Sequence, residues 1–280
     1  MMDLLGKPVA DAIFEKQKPK IKEMLAGGVV PKIAVIRTMN DEPSVRYFNS
    51  IKKKFEKYGC ECYAITKELQ NTYDLKEELR RCSEDDSIHG VLVQRPLPKT
   101  VNVVDTLGVL SPQKDIEGLT PYNLAKLFTN KEFFTPCTAE AVIELLEYYG
   151  VEMESRRVVI LGRSISVGKP LTLMFLNRNA TVTVCHSRTE DISSITKEAD
   201  ILVSSVGVAR FVKDYMVKKG SVIIDVGMNS KNGKLVGDVD YEEVKDIVSM
   251  ITPVPGGVGP VTVAVLLKNL VKAVEMNIHD

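Results

Sequence analysis

A glycine-containing segment in the second half of the chain has the residue types of a phosphate-binding loop. Residues 158–161 are apolar and β-prone and lead into Gly162, while Gly168 and Pro170 open a second apolar stretch. This order predicts a strand, a loop and a helix. Gly162 permits a tight turn, and a helix that begins near Gly168 directs N–H groups and a positive dipole end at an anion. We therefore predict a dinucleotide site, although Ser164 at the second glycine position leaves an ordinary β–α turn as the alternative.

The segment after the next predicted strand bears on which nicotinamide cofactor binds. Residues 180–185 alternate like a strand and end beside Ser187 and Arg188. An NAD site usually places Asp or Glu there to accept from the ribose 2′-OH, yet neither occurs between Gly162 and Arg188. Arg163 and Arg188, with a hydroxyl group, suit a 2′-phosphate instead, so we predict NADP rather than NAD. The alternative is that both arginines are solvated surface charges.

Composition excludes several classes of protein. The 280 residues allow one large domain or two smaller ones. The 37 basic and 37 acidic residues balance, which predicts no nucleic-acid or membrane surface. No apolar run approaches a membrane span, and no signal-peptide pattern is visible. Five scattered cysteines fit a reducing cytoplasm, and the three histidines are too few to complete a site with Cys60 and Cys62, so we predict no metal site.

Helical and strand patterns alternate along the whole chain, which predicts an α/β fold with mainly parallel sheets. We predict an N-terminal α/β domain of residues 1–136 plus 260–280, a Rossmann-like NADP-binding domain of residues 137–259, and a cleft between them. Asn232 and Gly233 predict a hairpin turn. Helices are predicted at 11–25 (interrupted by Pro19), 43–58, 73–82, 139–149 and 261–276, and strands at 32–37, 60–66, 90–94, 181–185, 200–204, 221–226 and 249–251.

Five segments together resemble one enzyme family. They are SVRY at 44–47, VLVQRPLP at 91–98, KDIEGL at 114–119, GRSISVGKP at 162–170 and TPVPGGVGPVT at 252–262. In this order they resemble the bifunctional methylenetetrahydrofolate dehydrogenase/methenyltetrahydrofolate cyclohydrolase family over essentially the whole chain. The resemblance implies hydride transfer from 5,10-methylenetetrahydrofolate to NADP⁺, hydrolysis of the product to 10-formyltetrahydrofolate, no metal and a homodimer formed through the nucleotide domain.

The resemblance also implies roles for individual residues. Tyr47 matches a tyrosine that stacks over the substrate, Gln94 a glutamine of the catalytic group, and Glu117 an aspartate that binds the pterin's amino and ring N–H groups. Positions that line the folate and nicotinamide site match Gly256, Gly257, Pro260 and Thr262. Positions that contact the cofactor match Gly162, Arg163, Ser164, Ser187 and Met228. The residue types described above add Gly168 and Arg188 to these cofactor contacts. Taken singly, Tyr47 could be a core residue and Gln94 a chain-end cap, but the joint pattern favours the site.

One position departs from the family. The family has a lysine four residues after the tyrosine, associated chiefly with the hydrolysis step, and here that residue is Ile51. On a helix, Lys52 points about 140° and Lys53 about 120° away from Tyr47. Lys54 lies only about 20° off the Tyr47 line but roughly 10 Å along the axis, so a side chain leaning back is one candidate substitute. A local register shift that brings in Lys52 is another, and a solvated basic face is the third reading.

These observations leave three hypotheses. The first is a bifunctional enzyme whose hydrolysis is impaired or carried by another group. The second is a dehydrogenase alone, with Ile51 as its signature. The third is a protein that binds NADP or folate without catalysis, since both Ile51 and Glu117 depart from the family pattern. A general NADP-dependent reductase would not explain the tyrosine, glutamine and proline-glycine segments together.

Overall fold

The structure is a computed structural model and describes residues 1–38, 42–66, 71–231 and 233–277, with only the backbone given for Pro43 and Asn277. The chain divides into two compact units. The N-terminal unit contains Ala12–Thr135 and the chain from Ala264 onward, and the C-terminal unit contains Met1–Asp11 and Pro136–Val263. Among the described residues, no helix is both long and apolar enough to cross a membrane.

The N-terminal unit is built on a three-stranded parallel sheet. Its strands are β2 (Lys32–Arg37), β3 (Glu61–Thr66) and β4 (Gly90–Gln94), in the order β3-β2-β4. Strands β2 and β4 are almost wholly buried, as expected for parallel strands covered on both faces. The helices of this unit are α1 (Gly6–Ala26, which begins in the other unit), α2 (Glu42–Lys57), α3 (Thr72–Glu84), α4 (Val103–Leu107) and α5 (Pro121–Phe128).

The C-terminal unit contains a six-stranded parallel sheet in the order β1-β11-β8-β7-β5-β6. Its strands are β1 (Met2–Asp3), β5 (Arg157–Leu161), β6 (Thr181–Cys185), β7 (Ile201–Ser204), β8 (Val222–Asp225) and β11 (Met250–Ile251). A separate antiparallel pair consists of β9 (Asn229–Lys231) and β10 (Lys234–Val236). The helices are α6 (Cys137–Tyr148), α7 (Gly168–Leu176), α8 (Ile192–Thr196), α9 (Tyr241–Val244) and α10 (Val258–Asn277), whose later part belongs to the N-terminal unit, and a 3₁₀ turn covers Asp214–Met216.

The α/β class with mainly parallel sheets is confirmed, and strands β2 and β4 have the predicted bounds. Helix α1 differs from the prediction because it begins at Gly6 and runs through Pro19 without interruption. Phe14 and Ile21, on either side of the proline, are each 1% exposed, and this burial stabilises the helix across the missing N–H. The predicted hairpin has its two strands and a Gly233 φ of +72°, while Asn232 lies outside the described residues.

The N-terminal residues group differently from the predicted domain bounds. The sequence placed residues 1–136 in one domain, whereas Met1–Asp11 belong to the C-terminal unit. The reason is strand β1, in which Met2 and Asp3 pair in parallel with Met250 and Ile251. A two-residue strand carries no periodicity, so the sequence offered no signal for it.

Candidate active site

The predicted cofactor-binding residues of the C-terminal unit follow its parallel strands. Gly162 follows β5, Ser187 and Arg188 follow β6, and Met228 comes three residues after β8. Because these strands are parallel, their carboxyl ends lie at one edge of the sheet. The strand order reverses direction at β5, and ligands of open α/β sheets bind outside the carboxyl ends at such a switch point.

The glycine loop at this edge has no room for a Cβ atom at two positions. Gly162 has a φ of +113°, and a Cβ there would lie 2.7 Å from the carbonyl oxygen of Ser205. A Cβ on Gly168 would overlap the carbonyl oxygen of Gly162. Helix α7 begins at Gly168, and the Ser164 hydroxyl accepts a hydrogen bond from the Val167 N–H at 3.2 Å, which supports the loop from within. The backbone is therefore closely packed and bare of side chains where a nine-residue helix begins, and free N–H groups at such a helix N-terminus can bind a diphosphate.

A tight turn after β6 displays the residues predicted to contact a 2′-phosphate. The His186 N–H donates to the Thr189 hydroxyl at 3.0 Å, and the Arg188 N–H donates to His186 Nδ1 at 3.2 Å. The side chains of Ser187 and Arg188 are exposed, as is that of Arg163 in the glycine loop. The turn leaves these side chains accessible to an anion.

A buried carboxylate connects two loops of the same edge. Asp238, which is fully buried, accepts hydrogen bonds from the N–H groups of Val206, Gly207 and Val208 at 2.7, 3.1 and 3.0 Å. Its Oδ1, which is the oxygen that Val208 contacts, also accepts from the Asn229 amide at 2.9 Å. One side chain therefore holds the loop after β7 and the segment beside Met228.

A second buried carboxylate supports the first. Asp225, the last residue of β8, accepts from the N–H groups of Gly227, Asp238 and Val239 at 2.9, 3.0 and 2.8 Å. Burial raises the pKa of Asp225 to about 6, an effect that its three N–H donors oppose. Sequence reasoning missed both aspartates. The available signal was an Asp that closes an apolar strand and another Asp that follows Gly237.

Asp238→Asn is expected to lower the free energy of unfolding by about 2–4 kcal/mol, because an amide NH₂ would face N–H donors that now meet a carboxylate. Urea denaturation measures the change. Asp246→Asn is the matched control, since Asp246 is exposed in the same unit and should change stability by less than about 0.5 kcal/mol. Equal stability of the two variants would show that the hydrogen bonds to the Asp238 carboxylate contribute nothing to stability.

The proline-glycine loop leads into α10. Gly256 has a φ of +114°, which only glycine adopts readily, and its carbonyl accepts from the Gly6 N–H at 2.7 Å. Gly257 is buried, and a Cβ there would lie 2.8 Å from the carbonyl oxygen of Pro253. Pro260 is exposed in the first turn of the helix, and the Thr262 hydroxyl donates to the Val258 carbonyl at 3.3 Å. The glycines at 256 and 257 are therefore required by the backbone itself.

In the N-terminal unit, Gln94 closes the buried strand β4. Its side chain is 5% exposed, and its Nε2 donates to the Ser44 carbonyl in α2 at 2.7 Å. Among the residues that the structure describes, no hydrogen-bond partner reaches its Oε1. A buried amide oxygen without a partner is unfavourable unless a ligand supplies a donor, so this atom is a candidate contact for a bound molecule.

The KDIEG segment around Glu117 is held in place by its other members. Lys114 donates to three backbone carbonyls at and just beyond the C-terminal end of α3, namely those of Cys82, Ser83 and Asp85. Asp115 accepts from the Thr120 N–H at 2.6 Å and the Asn123 amide at 2.8 Å. Gly118 has a φ of +71°, and a Cβ there would overlap the backbone of Thr135. These contacts fix the backbone on both sides of Glu117.

The Glu117 carboxylate turns back toward strand β4. Its Oε2 accepts from the Val93 N–H at 3.3 Å, one residue before Gln94. Burial raises its pKa to about 7, which positive Arg95 opposes and neighbouring Asp115 reinforces. Gln94 and Glu117 are thus brought together at the end of β4, although 22 residues separate them along the chain.

Helix α2 carries Tyr47 and the lysines weighed as substitutes for the family lysine. Tyr47 is partly buried, and Ile51, one turn later, is fully buried. The Lys54 ammonium lies 5.6 Å from the centroid of the Phe14 ring, and Lys52 pairs with Glu56 at 3.7 Å. In this arrangement both ammonium groups have partners other than Tyr47, while Lys53 is exposed. Among the described residues, no group of three or more His, Cys, Asp or Glu side chains is placed to hold a metal.

The six-stranded parallel sheet and the glycine loop at its switch point define an α/β protein of the dinucleotide-binding class. The chain belongs to the tetrahydrofolate dehydrogenase/cyclohydrolase family. Residues 4–117 match the model of that family's catalytic domain, and residues 136–278 match the model of its NAD(P)-binding domain.

Individual relatives resemble the chain over nearly its full length. The bifunctional protein FolD of Dictyoglomus thermophilum is 44% identical over 280 residues, which cover 98% of this chain and 97% of that protein. The crystal structure of the bifunctional methylenetetrahydrofolate dehydrogenase/cyclohydrolase FolD from Campylobacter jejuni is 38% identical with a TM-score of 0.94, and 99% of each chain is covered. The Trypanosoma brucei dehydrogenase-cyclohydrolase, solved with NADP and an inhibitor, is 34% identical with a TM-score of 0.93, covering 100% of this chain and 99% of that one.

Proposed function

We propose that this chain oxidises 5,10-methylenetetrahydrofolate to 5,10-methenyltetrahydrofolate with NADP⁺ and hydrolyses the product to 10-formyltetrahydrofolate. The observation that carries the proposal is the combination, in one chain of this family, of two features. One is the glycine loop at the switch point of the parallel sheet. The other is the group formed by Gln94 and Glu117 at the end of β4, with Tyr47 on the helix to which Gln94 bonds.

In the first step the cofactor, when bound, accepts a hydride. The chain holds the cofactor and the substrate in the relative orientation that hydride transfer requires. The backbone at Gly162 and Gly168 receives the diphosphate, and Arg163, Ser187 and Arg188 receive the 2′-phosphate. Glu117, when ionised, accepts two N–H bonds from the pterin, because a carboxylate has two oxygens and no proton to oppose them.

In the second step water adds to the one-carbon unit. The water oxygen bonds that carbon, the bond from the carbon to N5 breaks, N5 receives one of the water's protons, and the other proton is released. Tyr47 stacks against the ring system, and the Gln94 Oε1 accepts from the substrate or from the attacking water. By the resemblance, Gly256, Gly257, Pro260 and Thr262 contact the bound ligands. These residue roles rest on the resemblance and on the unsatisfied Gln94 oxygen.

A two-stage assay tests the proposal. Purified protein receives methylenetetrahydrofolate and NADP⁺, and the absorbance of methenyltetrahydrofolate is followed. A rise and then a decay faster than in buffer is expected. A rise that persists would leave a dehydrogenase alone, and no rise despite NADP binding would favour the non-catalytic alternative. Gln94→Glu keeps the shape of the side chain, removes the amide donor to Ser44, and is expected to slow the decay.

Arg188→Ala is expected to weaken NADP binding by about 10–100-fold and to leave NAD binding unchanged, because a charge-assisted bond to the 2′-phosphate contributes about 1.5–3 kcal/mol. Titration with each cofactor measures both dissociation constants. Lys197→Ala removes an equal charge at the end of α8 and should change neither. Parallel losses for NADP and NAD in Arg188→Ala would contradict a 2′-phosphate contact.

The assembly and the location are also proposals. We propose a homodimer formed through the C-terminal unit, which sedimentation of the purified chain can test against a monomer. A cytoplasmic location is consistent with the five cysteines of the described chain, all of which are buried free thiols.

A further inference from the structure

A buried arginine closes strand β2 of the N-terminal unit. Arg37 is 7% exposed, although the strand that precedes it is otherwise apolar after Lys32. The guanidinium group is a cation, so the burial of Arg37 places a positive charge inside this unit. Buried charges are costly unless their surroundings compensate them, and they concentrate at sites that use them.

The position of Arg37 is next to the catalytic glutamine. Arg37 and Gln94 are register partners at the ends of neighbouring parallel strands, so both side chains project from the same face of the sheet. The opposite face carries Ala34 and Ile36, which pack in the core beneath α3 and α4. On the face of the sheet opposite this core, Arg37 and Gln94 are the neighbouring polar residues at the ends of β2 and β4.

Helix α2 covers that face and contacts both side chains. The Gln94 amide donates to the Ser44 carbonyl, and the Arg37 guanidinium lies 5.5 Å from the centroid of the Phe48 ring. Ser44 and Phe48 are one helical turn apart and flank Tyr47 in the sequence. Arg37 thus lies beside the same turn of α2 that presents Tyr47.

The lysines of α2 do not offer an equivalent charge at this place. Lys52 pairs with Glu56, Lys54 lies over Phe14, Lys57 lies over Tyr58, and Lys53 is exposed. Ile51, one turn after Tyr47, is fully buried and apolar. Compared with these lysines, Arg37 alone is both buried and next to Gln94.

We propose that Arg37 supplies the positive charge for the hydrolysis step, stabilising the attacking water as it loses a proton beside Gln94. The inference rests on the proposed function. The step itself is the balanced one given above: water and the methenyl cation give 10-formyltetrahydrofolate and one released proton. A fixed cation in a water-excluded site stabilises negative charge that develops on the water oxygen in the transition state.

The charge of the substrate makes the inference separable from a structural role. Methenyltetrahydrofolate is a cation at its reacting carbon, so Arg37 does not assist its binding there and contributes only as the water becomes negative. Loss of Arg37 therefore lowers kcat and does not raise KM. A residue that only supports the fold would lower kcat and raise KM together.

The test supplies methenyltetrahydrofolate directly, so that its result does not depend on hydride transfer. Arg37→Met is expected to lower kcat by roughly 100-fold with no increase in KM, whereas Arg37→Lys, which keeps the charge, should retain at least about a tenth of the rate. Lys54→Met is the matched control, because it removes one positive charge from α2, and its kcat should stay within about twofold of the parent value. Thermal melting and NADP titration establish that each variant is folded. If Arg37→Met does not fold, Arg37→Gln removes the charge and keeps a hydrogen-bonding end.

Three results would overturn the inference. One is a neutral variant within about threefold of the parent rate. Another is a raised KM. With unchanged kcat it would make Arg37 a binding residue for an anionic part of the substrate, and with lowered kcat it would make the role of Arg37 structural. The third is a parent protein that does not hydrolyse methenyltetrahydrofolate. If that parent still reduces NADP⁺ with methylenetetrahydrofolate, only this inference and the hydrolysis fail. If neither reaction occurs, the proposed function fails as well.

Discussion

Gly168→Ala is expected to weaken NADP binding by at least about 100-fold, equivalent to about 2.7 kcal/mol. The added Cβ would overlap the carbonyl oxygen of Gly162, which lies on the backbone and cannot rotate away as a side chain could. The start of α7 and the turn after β5 must separate, and the N–H groups at the helix end then no longer converge on one phosphate. Calorimetric titration with NADP⁺ measures the loss.

A matched alanine substitution separates this effect from a general cost of removing glycine. At Gly108 the backbone has a φ of −64°, and a Cβ would meet its nearest neighbour at 3.5 Å, an ordinary contact. Gly108→Ala should therefore bind NADP like the parent. Parent-like binding by Gly168→Ala, with both variants folded by thermal melting, would contradict a diphosphate at this loop.

Glu117→Gln is expected to have opposite effects on activity and stability. Activity with methylenetetrahydrofolate should fall by roughly 100-fold in kcat/KM, because the amide NH₂ would face the pterin's N–H donors and leave them unpaired. Glu117→Asp, which keeps the charge, should retain more than about a tenth of the parent value. Steady-state kinetics of the three proteins measures this. A fully active Gln variant would exclude Glu117 as the pterin acceptor.

The stability of the same variant should depend on pH in one direction. The pKa of Glu117 is raised from 4.5 to about 7 in the folded protein. Between these values the folded state holds more protons than the unfolded state, so stability falls as the pH rises through this window. Glu117→Gln lacks this fall, and above pH 7 it should be the more stable protein by about 1–3 kcal/mol, with no such advantage at pH 4.5.

Urea denaturation at several pH values tests this dependence. Glu84→Gln is the control, since Glu84 is exposed at the end of α3 and its replacement should shift stability by less than about 0.5 kcal/mol throughout. If the difference in unfolding free energy between Glu117→Gln and the parent were the same at every pH, burial would not raise the pKa of Glu117.

The local elements around the candidate site were predictable because their signals are local. Residues 158–176 read as strand, glycine loop and helix, and they form β5 and α7. Lys32–Arg37 and Gly90–Gln94 were predicted with the bounds they have, because four or more consecutive β-prone residues lie between turn residues. The glycines at 162 and 168 followed from a motif whose backbone requirement is stereochemical.

Pairing over long sequence separations could not be predicted from residue types. Met2 and Asp3 joined the C-terminal unit only through pairing with Met250 and Ile251. The backbone contacts of Asp238 could not be predicted either, because the residue type does not distinguish this buried aspartate from the more common exposed ones. Helix α1 passed through Pro19 because burial on both sides outweighed a local rule.

The sequence by itself determined the fold class, the glycine loop and the departure at Ile51. Only the tertiary structure decided which cation lies beside Gln94. Angular spacing on α2 placed Lys54 nearest the line of Tyr47 and left a solvated basic face as the other interpretation, since a helix specifies the neighbours of its own residues. Arg37 lies on a different element and reaches Gln94 through the register of β2 and β4, while Phe14 provides a face for Lys54 from a third element. Contacts between elements depend on sheet register and helix packing, which sum over many distant residues and are not encoded at any single position.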